Sequence, residues 1–262
     1  MTKHGRSRND PDFPILGPDD FFPFPDPDSA DSWGVVCSGG NLSPGLLLSA
    51  YRQGIFPWFS EDEPLLWWSP DPRFVLLPSK LHISKTMRKI MRHSGFELAL
   101  DRDFEAVIRA CSGVPRKGQK GTWITEDMIA AYCGLHDLGF AHSVEARLEG
   151  RLVGGLYGVS LGSVFFGESM FSLVPDASKA AFIPFVRLLE AEGFTLIDSQ
   201  VYTDHLAGLG AEEMPRSTYL SLLARGLEAP TRRGSWARLF PAFPMQADSE
   251  ETEAKAEERK SQ

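Results

Sequence analysis

Two short stretches of the sequence place acidic side chains inside apolar strands. Residues 163–172, SVFFGESMFS, resemble a buried strand except at Glu168, whose carboxylate loses roughly several kcal/mol of hydration on burial unless a partner offsets the loss. In residues 196–201, LIDSQV, strand alternation predicts Asp198 and Gln200 on one face, with their Cα atoms about 7 Å apart. The pattern fits either a functional polar pocket or a half-exposed strand whose polar face meets solvent.

Motifs for nucleophilic, metal or nucleotide chemistry do not accompany these acids. Ser169, Ser178 and Ser199 lack the GxSxG context of a nucleophile elbow, and His136 and His142 lack metal-ligand spacing. Neither a Walker loop nor a GxGxxG motif occurs. We therefore expect no metal and no cofactor.

Basic and aromatic residues concentrate in two regions. The formal net charge is −8, yet residues 80–120 hold ten Lys and Arg against four acidic residues. This basic segment is either a solvated helix face or a patch for a polyanion. Trp58 and Trp123, in IFPWF and GTWIT, are either packing anchors of loops or stacking platforms for bases.

The bulk composition is that of a globular protein of the cytoplasm. The chain has 262 residues, 42% of them hydrophobic, and no apolar run approaches the roughly 18 residues of a membrane span. The N-terminal MTKHGRSRND lacks the apolar core of a signal peptide, and the three cysteines, without CxxC spacing, are expected to be reduced thiols. We expect no membrane partner.

The elements that position the two acids follow from periodicity and caps. The sequence predicts a helix after Ser43, a basic helix after Ser84, a helix over DFEAVIRACS and another capped by Thr125. Three strands with tight turns at residues 149–150 and 162 follow. A helix from DASKAAF, the strand with LIDSQV and a last helix over STYLSLLARGL follow. From the helix capped by Thr125 onward, the C-terminal part therefore has the order α, β, β, β, α, β, α. This order predicts an α+β architecture of antiparallel strands with helices packed on them.

A series of ungapped blocks resembles one family. The blocks include GGNLSPGLLLSAYRQGIFPWF, LLWWSPDPRFVLLP, LHISKTMRK, GTWIT, LVGGLYGVSLGSVFFGESMFS, DASKAAF, LIDSQV and HLAGLGAEEMPR. In this order they resemble leucyl/phenylalanyl-tRNA–protein transferases from about Gly39 to Arg216. Ser199 and Leu173 depart from the family's usual Cys and Arg, so the thiol is not required and tRNA affinity is either lower or compensated by nearby basic residues.

Composition predicts a terminal arm and tail, and the resemblance implies the two domains between them and an activity. The expected segments are a flexible Pro/Asp-rich arm (1–31), a small N-terminal domain (32–73), a GNAT-like acyltransferase domain with a mixed, largely antiparallel sheet (74–243) and a disordered acidic tail (244–262). The implied enzyme is a monomer that moves Leu or Phe, with Met as a further donor, from aminoacyl-tRNA to proteins with N-terminal Arg or Lys in the N-degron pathway.

The resemblance, the chemistry of the implied reaction and the basic segment together predict roles for individual residues. Asp198 is expected to orient and deprotonate the acceptor amine through Gln200, and Glu168 to bind the acceptor's cationic group. The remaining assignments are substrate contacts of Trp58, Trp123, Leu156, Phe165 and Ile197, and tRNA contacts of Lys85, Arg88, Lys89 and Arg92. Two alternatives stay open at this point: a GNAT-type acetyl-CoA N-acetyltransferase, although its Gly-rich pyrophosphate loop is not visible, and a non-catalytic reader of basic N-termini.

Overall fold

Two β-sheets organise the protein in a computed structural model that describes residues 10, 12–60, 63–114, 123–241 and 243. The strands are β1 Val35–Ser38, β2 Phe56–Pro57, β3 Leu66–Trp68, β4 Arg73–Leu76, β5 Glu97–Leu100, β6 Ala141–Leu148, β7 Arg151–Leu161, β8 Val164–Ser172, β9 Leu196–Gln200 and β10 Glu212–Met214. The α-helices are α1 Pro44–Arg52, α2 Lys85–His93, α3 Phe104–Gly113, α4 Glu126–Asp137, α5 Ala177–Ala191, α6 Asp204–Ala207, α7 Arg216–Leu227 and α8 Trp236–Leu239. Short 3-10 helices cover Pro27–Ser29 and Pro78–Lys80.

The sheet topology confirms the predicted α+β class. A small antiparallel sheet has the order β1-β3-β2, and a seven-stranded sheet has the order β10-β4-β9-β8-β7-β6-β5. Neighbours in the large sheet are antiparallel except β8 and β9, which are parallel. Helix α5 joins these two strands, as a parallel pair requires a crossover connection. The mixed, largely antiparallel sheet flanked by helices is therefore as predicted.

Local capping signals agree with the observed helix starts. The hydroxyl groups of Ser84 and Thr125 accept hydrogen bonds from the amides of Met87 and Met128, in the first turns of α2 and α4. Ser43 precedes α1, but its hydroxyl group accepts a bond from the amide of Leu16 instead. Long-range packing has thus replaced the local cap at α1.

The hydrophobic core has two parts. One part contains residues of α1, α3, α4 and α7, and the other contains residues of α5 and α8 together with Met87 of α2. Residues of β7 and β8 alternate between the two parts, since successive side chains of a strand point to opposite faces. The large sheet thus lies between two helical layers.

A β-bulge interrupts β8 at Glu168. Tyr157 pairs with Ser169 and Gly158 pairs with Gly167, so Glu168 between them has no residue opposite. The extra residue shifts the side-chain alternation by one position. As a result Phe166 and Phe171 lie in one part of the core, and Phe165 and Met170 lie in the other. Simple alternation would place the two members of each pair on opposite faces of the sheet.

Part of the segment predicted as a flexible arm packs against α1. The side-chain amide of Asn41 donates to the carbonyl groups of Phe13 and Pro14, and the amide of Phe22 donates to the hydroxyl group of Ser49 (2.9 Å). Phe24 is buried against Trp67, with ring centroids 4.9 Å apart. The phenylalanines of this segment therefore supply contacts that its Pro/Asp content did not predict. Residues 1–9 and 11 of the arm, and the tail 244–262, lie outside the described residues, and the domain division stays a prediction.

Candidate active site

A pocket of about 670 Å³ opens where β8 and β9 separate. The two strands pair from Val164 to Phe166 and from Leu196 to Asp198. Beyond these pairs, residues 167–172 and 199–203 line the pocket. The parallel pair of the sheet thus creates a cleft at its diverging ends.

Seven of the eight residues predicted to act in catalysis or to contact substrate lie on the pocket wall. They are Trp58, Trp123, Leu156, Phe165, Glu168, Ile197 and Gln200. Asp198 is the exception, since its side chain is fully buried and lies behind the wall. The pocket therefore joins an apolar region to one acid and one amide.

The Glu168 carboxyl group accepts hydrogen bonds from three side chains. Oε1 accepts hydrogen bonds from the hydroxyl group of Tyr51 (2.7 Å) and the side-chain amide of Gln200 (2.8 Å). Oε2 accepts one from the hydroxyl group of Tyr132 (3.0 Å). The two tyrosine oxygens also lie within hydrogen-bonding distance of each other, although each hydroxyl group has only the one proton that it directs at Glu168. Glu168 is only 8% exposed, so the partners replace most of its hydration.

Burial of Glu168 changes its protonation near neutral pH. Desolvation raises the pKa of Glu168 to about 7, against the lowering effect of the bonds from Tyr51, Tyr132 and Gln200. The charge of Asp198 also raises this pKa. Burial raises the pKa values of both tyrosines, which therefore remain neutral donors. Glu168 can accordingly take up or release a proton in the range where an α-amine titrates.

Asp198 forms a buried ion pair with Arg73. Nε and Nη2 of Arg73 donate to the two carboxylate oxygens at 2.8 and 2.6 Å. The hydroxyl group of Tyr219 (2.8 Å) and the backbone amide of Gln200 (2.9 Å) donate to the same carboxylate. Each oxygen therefore accepts two bonds and has no position left for a substrate proton. These contacts leave Asp198 to act on the acceptor amine only through Gln200, and its predicted catalytic role stays a prediction.

Arg73 is as fully enclosed as its partner. Its guanidinium group lies 4.8 Å from the ring of Phe56 and 4.5 Å from the ring of Tyr219. Burial lowers the pKa of Arg73, but the interaction with the carboxylate of Asp198 opposes this effect. The net shift of the pKa of Arg73 is upward. Arg73 is therefore charged throughout the physiological pH range.

Gln200 links the two acids. It lies at the end of β9 with φ of 65°, a left-handed conformation that is uncommon for residues other than glycine. In the pairing of β9 with β4, Asp198 lies opposite Val75 and Gln200 lies opposite Phe74. Ser199 between them has no residue opposite and forms a β-bulge. Because of this bulge, Gln200 binds Asp198 through its backbone and Glu168 through its side chain, rather than sharing one face with Asp198 as simple alternation predicts.

Sequence reasoning missed four side chains of this network. Tyr51 and Tyr132 lie within helices among apolar residues, where they read as core. Arg73 begins the buried strand β4, and Tyr219 lies in α7. A basic residue at the start of an otherwise apolar strand is a signal for a buried acidic partner, although its spacing cannot identify which acid.

The predicted tRNA contacts lie away from the pocket. Lys85, Arg88, Lys89 and Arg92 are exposed on α2, which buries Met87 against the core. Arg116, Lys117 and Lys120 of the basic segment lie outside the described residues. Among the residues with assigned positions, no group of three or more His, Cys, Asp or Glu is placed to hold a metal ion. Of the helices in that part of the chain, none has the length and apolar character needed to cross a membrane.

The fold and the site define a mixed-sheet α+β protein whose pocket combines apolar walls with a buried carboxyl–amide pair. The family model described as "Leucyl/phenylalanyl-tRNA protein transferase" matches residues 75–224, and the model of its N-terminal domain matches residues 40–71. The chain belongs to this family.

Two relatives illustrate the similarity. A leucyl/phenylalanyl-tRNA–protein transferase of Myxococcus xanthus (strain DK1622) is 58% identical over 221 residues, which cover 84% of this chain and 94% of the relative. One from Syntrophus aciditrophicus (strain SB) is 56% identical over 214 residues, which cover 82% of this chain and 90% of the relative.

Solved structures show weaker likeness. L-PGS from Bacillus licheniformis has a TM-score of 0.34 at 16% identity, covering 52% of this chain and 48% of the other. A GCN5-related N-acetyltransferase from Kribbella flavida has a TM-score of 0.33 at 15% identity, covering 66% of this chain and 62% of the other. At these scores neither likeness decides the fold or the activity.

Proposed function

We propose that this protein transfers Leu or Phe, with Met as a further donor, from aminoacyl-tRNA to the α-amine of proteins that begin with Arg or Lys. The observation that carries the proposal is the Glu168–Gln200 pair at the wall of an apolar pocket. The apolar walls suit the donor side chain, and the acid suits a basic acceptor. The family membership of the chain supports the same reaction. We place the enzyme in the cytoplasm as a monomer that acts in the N-degron pathway.

The reaction is the aminolysis of an ester. The acceptor nitrogen forms a bond to the aminoacyl carbonyl carbon, the bond from that carbon to the ribose oxygen breaks, and the proton lost by the amine returns to the leaving oxygen. The donor ester is already activated, so ATP is not required. The amine must be neutral to attack, and since an α-amine has a pKa near 7.7–8.0, a modest base suffices.

The donor is held by the apolar part of the pocket. Leu156, Phe165 and Ile197 surround the aminoacyl side chain, and their burial disfavours polar side chains there. Trp58 and Trp123 line the same pocket and offer ring faces to the terminal adenosine of the tRNA. The exposed basic residues of α2 contact the phosphates of the tRNA.

The acceptor amine approaches Glu168. Oε2 accepts one hydrogen bond from the described residues, that of Tyr132, and can accept a further one from the ammonium group. With a pKa of about 7, Glu168 binds the ammonium form and takes its proton. Gln200 orients the nucleophile and polarises the tetrahedral intermediate, because a neutral amide is a poor base but a good donor. Asp198 has a positioning role through Gln200.

A peptide assay tests the proposal and separates the alternatives. Leu-tRNA or acetyl-CoA is incubated with the protein and an Arg-initiated peptide, and the peptide is weighed by mass spectrometry. Addition of one leucyl residue from Leu-tRNA is expected. Addition of an acetyl group alone would make the protein an acetyltransferase, and peptide binding without any product would make it a reader of basic N-termini.

The variant Glu168→Gln tests the role of the acid. It keeps the size of the side chain but removes its charge and its ability to take a proton. We expect it to lower transfer to the Arg peptide far more than it lowers binding of aminoacyl-tRNA. Equal losses of transfer and tRNA binding would contradict the assignment.

A further inference from the structure

The buried pair of Arg73 and Asp198 is an unfavourable way to stabilise a protein. Both side chains are fully buried, and the loss of hydration of such a pair can exceed the attraction between its charges. Nη1 of Arg73 is buried without a hydrogen-bond partner among the described residues. A pair with this cost calls for a role other than stability.

A continuous chain of hydrogen bonds leads from this pair to the pocket. Arg73 and Tyr219 hold the Asp198 carboxylate, whose Oδ1 accepts the backbone amide of Gln200. That bond stabilises the left-handed backbone of Gln200, which residues other than glycine rarely adopt. The side-chain amide of Gln200 then reaches Glu168 at 2.8 Å.

We propose that Arg73 and Tyr219 are positioning residues for aminoacyl transfer, which act through Asp198 to hold the Gln200 amide against Glu168. The inference rests on the proposed function for its catalytic consequence. Neither residue touches the substrate. Their effect is on geometry, since a misplacement of about 1 Å in an active site can lower a rate about 100-fold.

The same pair sets the electrostatic field at Glu168. Tyr51 of α1, Tyr132 of α4 and Gln200 of β9 donate hydrogen bonds to Glu168, and the charges of Asp198 of β9 and Arg73 of β4 also act on it. Behind these groups, Tyr157 of β7 packs against Tyr132, and Tyr219 of α7 donates to Asp198. Asp198 raises the pKa of Glu168 by repulsion. Glu168 raises the pKa of Arg73 by attraction, so by reciprocity Arg73 lowers the pKa of Glu168. Loss of either charge should therefore move the titration of Glu168, in opposite directions.

Two variants and one matched control test the inference. Arg73→Lys keeps the charge but loses the two-pronged contact with Asp198. Tyr219→Phe removes only the hydroxyl group and is the milder change. The control is Arg232→Lys, because Arg232 also pairs with a carboxylate, that of Glu192, and also lies over aromatic rings, but does not line the pocket.

The kinetic readout is single-turnover transfer from preformed Leu-tRNA, measured per folded molecule. We expect Arg73→Lys to lower the rate constant about 10–100-fold and Tyr219→Phe to lower it less, with tRNA affinity unchanged within about twofold. Arg232→Lys should transfer at the wild-type rate. Wild-type rates per folded molecule in Tyr219→Phe and in folded Arg73→Lys would overturn the inference; if Arg73→Lys does not fold, Tyr219→Phe alone decides.

A second readout does not require activity. The carboxyl carbon of Glu168 is followed by NMR in free protein with labelled glutamate, and assigned with Glu168→Gln. Asp198→Asn should move the titration to lower pH and Arg73→Gln to higher pH. Unchanged titrations in both variants would overturn the electrostatic part. If the two variants show these shifts but the wild-type protein transfers nothing, the proposed function fails while the network stands.

Discussion

The ionisation of Glu168 should make the stability of the protein fall as pH rises. Its pKa is about 7 in the folded protein against an ordinary value of 4.5. Between pH 4.5 and pH 7, the folded state therefore keeps a proton on Glu168 that the unfolded state has already released. The contribution of the protonated group to stability is complete below pH 4.5 and is lost as pH rises through 7.

The size of this effect follows from the shift. Each pKa unit corresponds to about 1.36 kcal/mol, so the shift of Glu168 amounts to about 3 kcal/mol across the interval. The group is 8% exposed, so solvent screening reduces this figure little. The variant Glu168→Gln cannot ionise and should lack this dependence.

The assay is urea unfolding of wild type and Glu168→Gln at intervals from pH 5 to pH 8.5. The difference between their free energies of unfolding should shift by about 2.5 kcal/mol in favour of the variant as pH rises, since part of the full effect lies below pH 5. Any constant offset from altered hydrogen bonds does not affect the slope. The control is Glu190→Gln on α5, where the exposed carboxylate keeps its hydration on folding. A difference between wild type and Glu168→Gln that stays constant within about 0.5 kcal/mol would refute the burial argument.

Three further outcomes are expected. Charge reversal at Lys85 and Lys89 should raise KM for tRNA and reduce the slope of the salt dependence of binding by about one unit for each phosphate that is no longer bound, whereas a wild-type affinity that does not respond to salt would exclude the α2 patch. Trp58→Ala should weaken binding of an aminoacyl-adenosine fragment by about 1–3 kcal/mol, and equal affinity in a titration of that fragment would show that the ring is only a packing anchor. Burial lowers the pKa of His142, so its contribution to stability is present above pH 6.5 and falls as the unfolded state takes up a proton below it. His142→Gln should therefore flatten the acid side of the stability profile measured by urea unfolding, and an unchanged acid slope would contradict this prediction.

Local interactions explain why most elements were predictable. Ser84 and Thr125 cap α2 and α4 through bonds to amides three residues away, and such bonds are encoded within one turn. The strands β6 to β8 follow from apolar runs and tight turns. The sequence blocks also predicted the family, and three apolar residues within them, Leu156, Phe165 and Ile197, line the pocket.

The chemistry of the site depended on contacts between distant residues. Tyr51 lies 117 residues from Glu168, and Arg73 lies 125 residues from Asp198. The sequence identified both acids as unusual and assigned the base to Asp198. The tertiary structure supports our proposal that Glu168 takes this role instead, because a carboxylate whose oxygens are all occupied by protein donors is not available to a substrate. Asp198 has a buried cation and four hydrogen bonds, whereas Glu168 has neutral donors only and an environment that raises its pKa. The two bulges that turn Glu168 and Gln200 toward each other arise from strand pairing, which residue alternation cannot reveal.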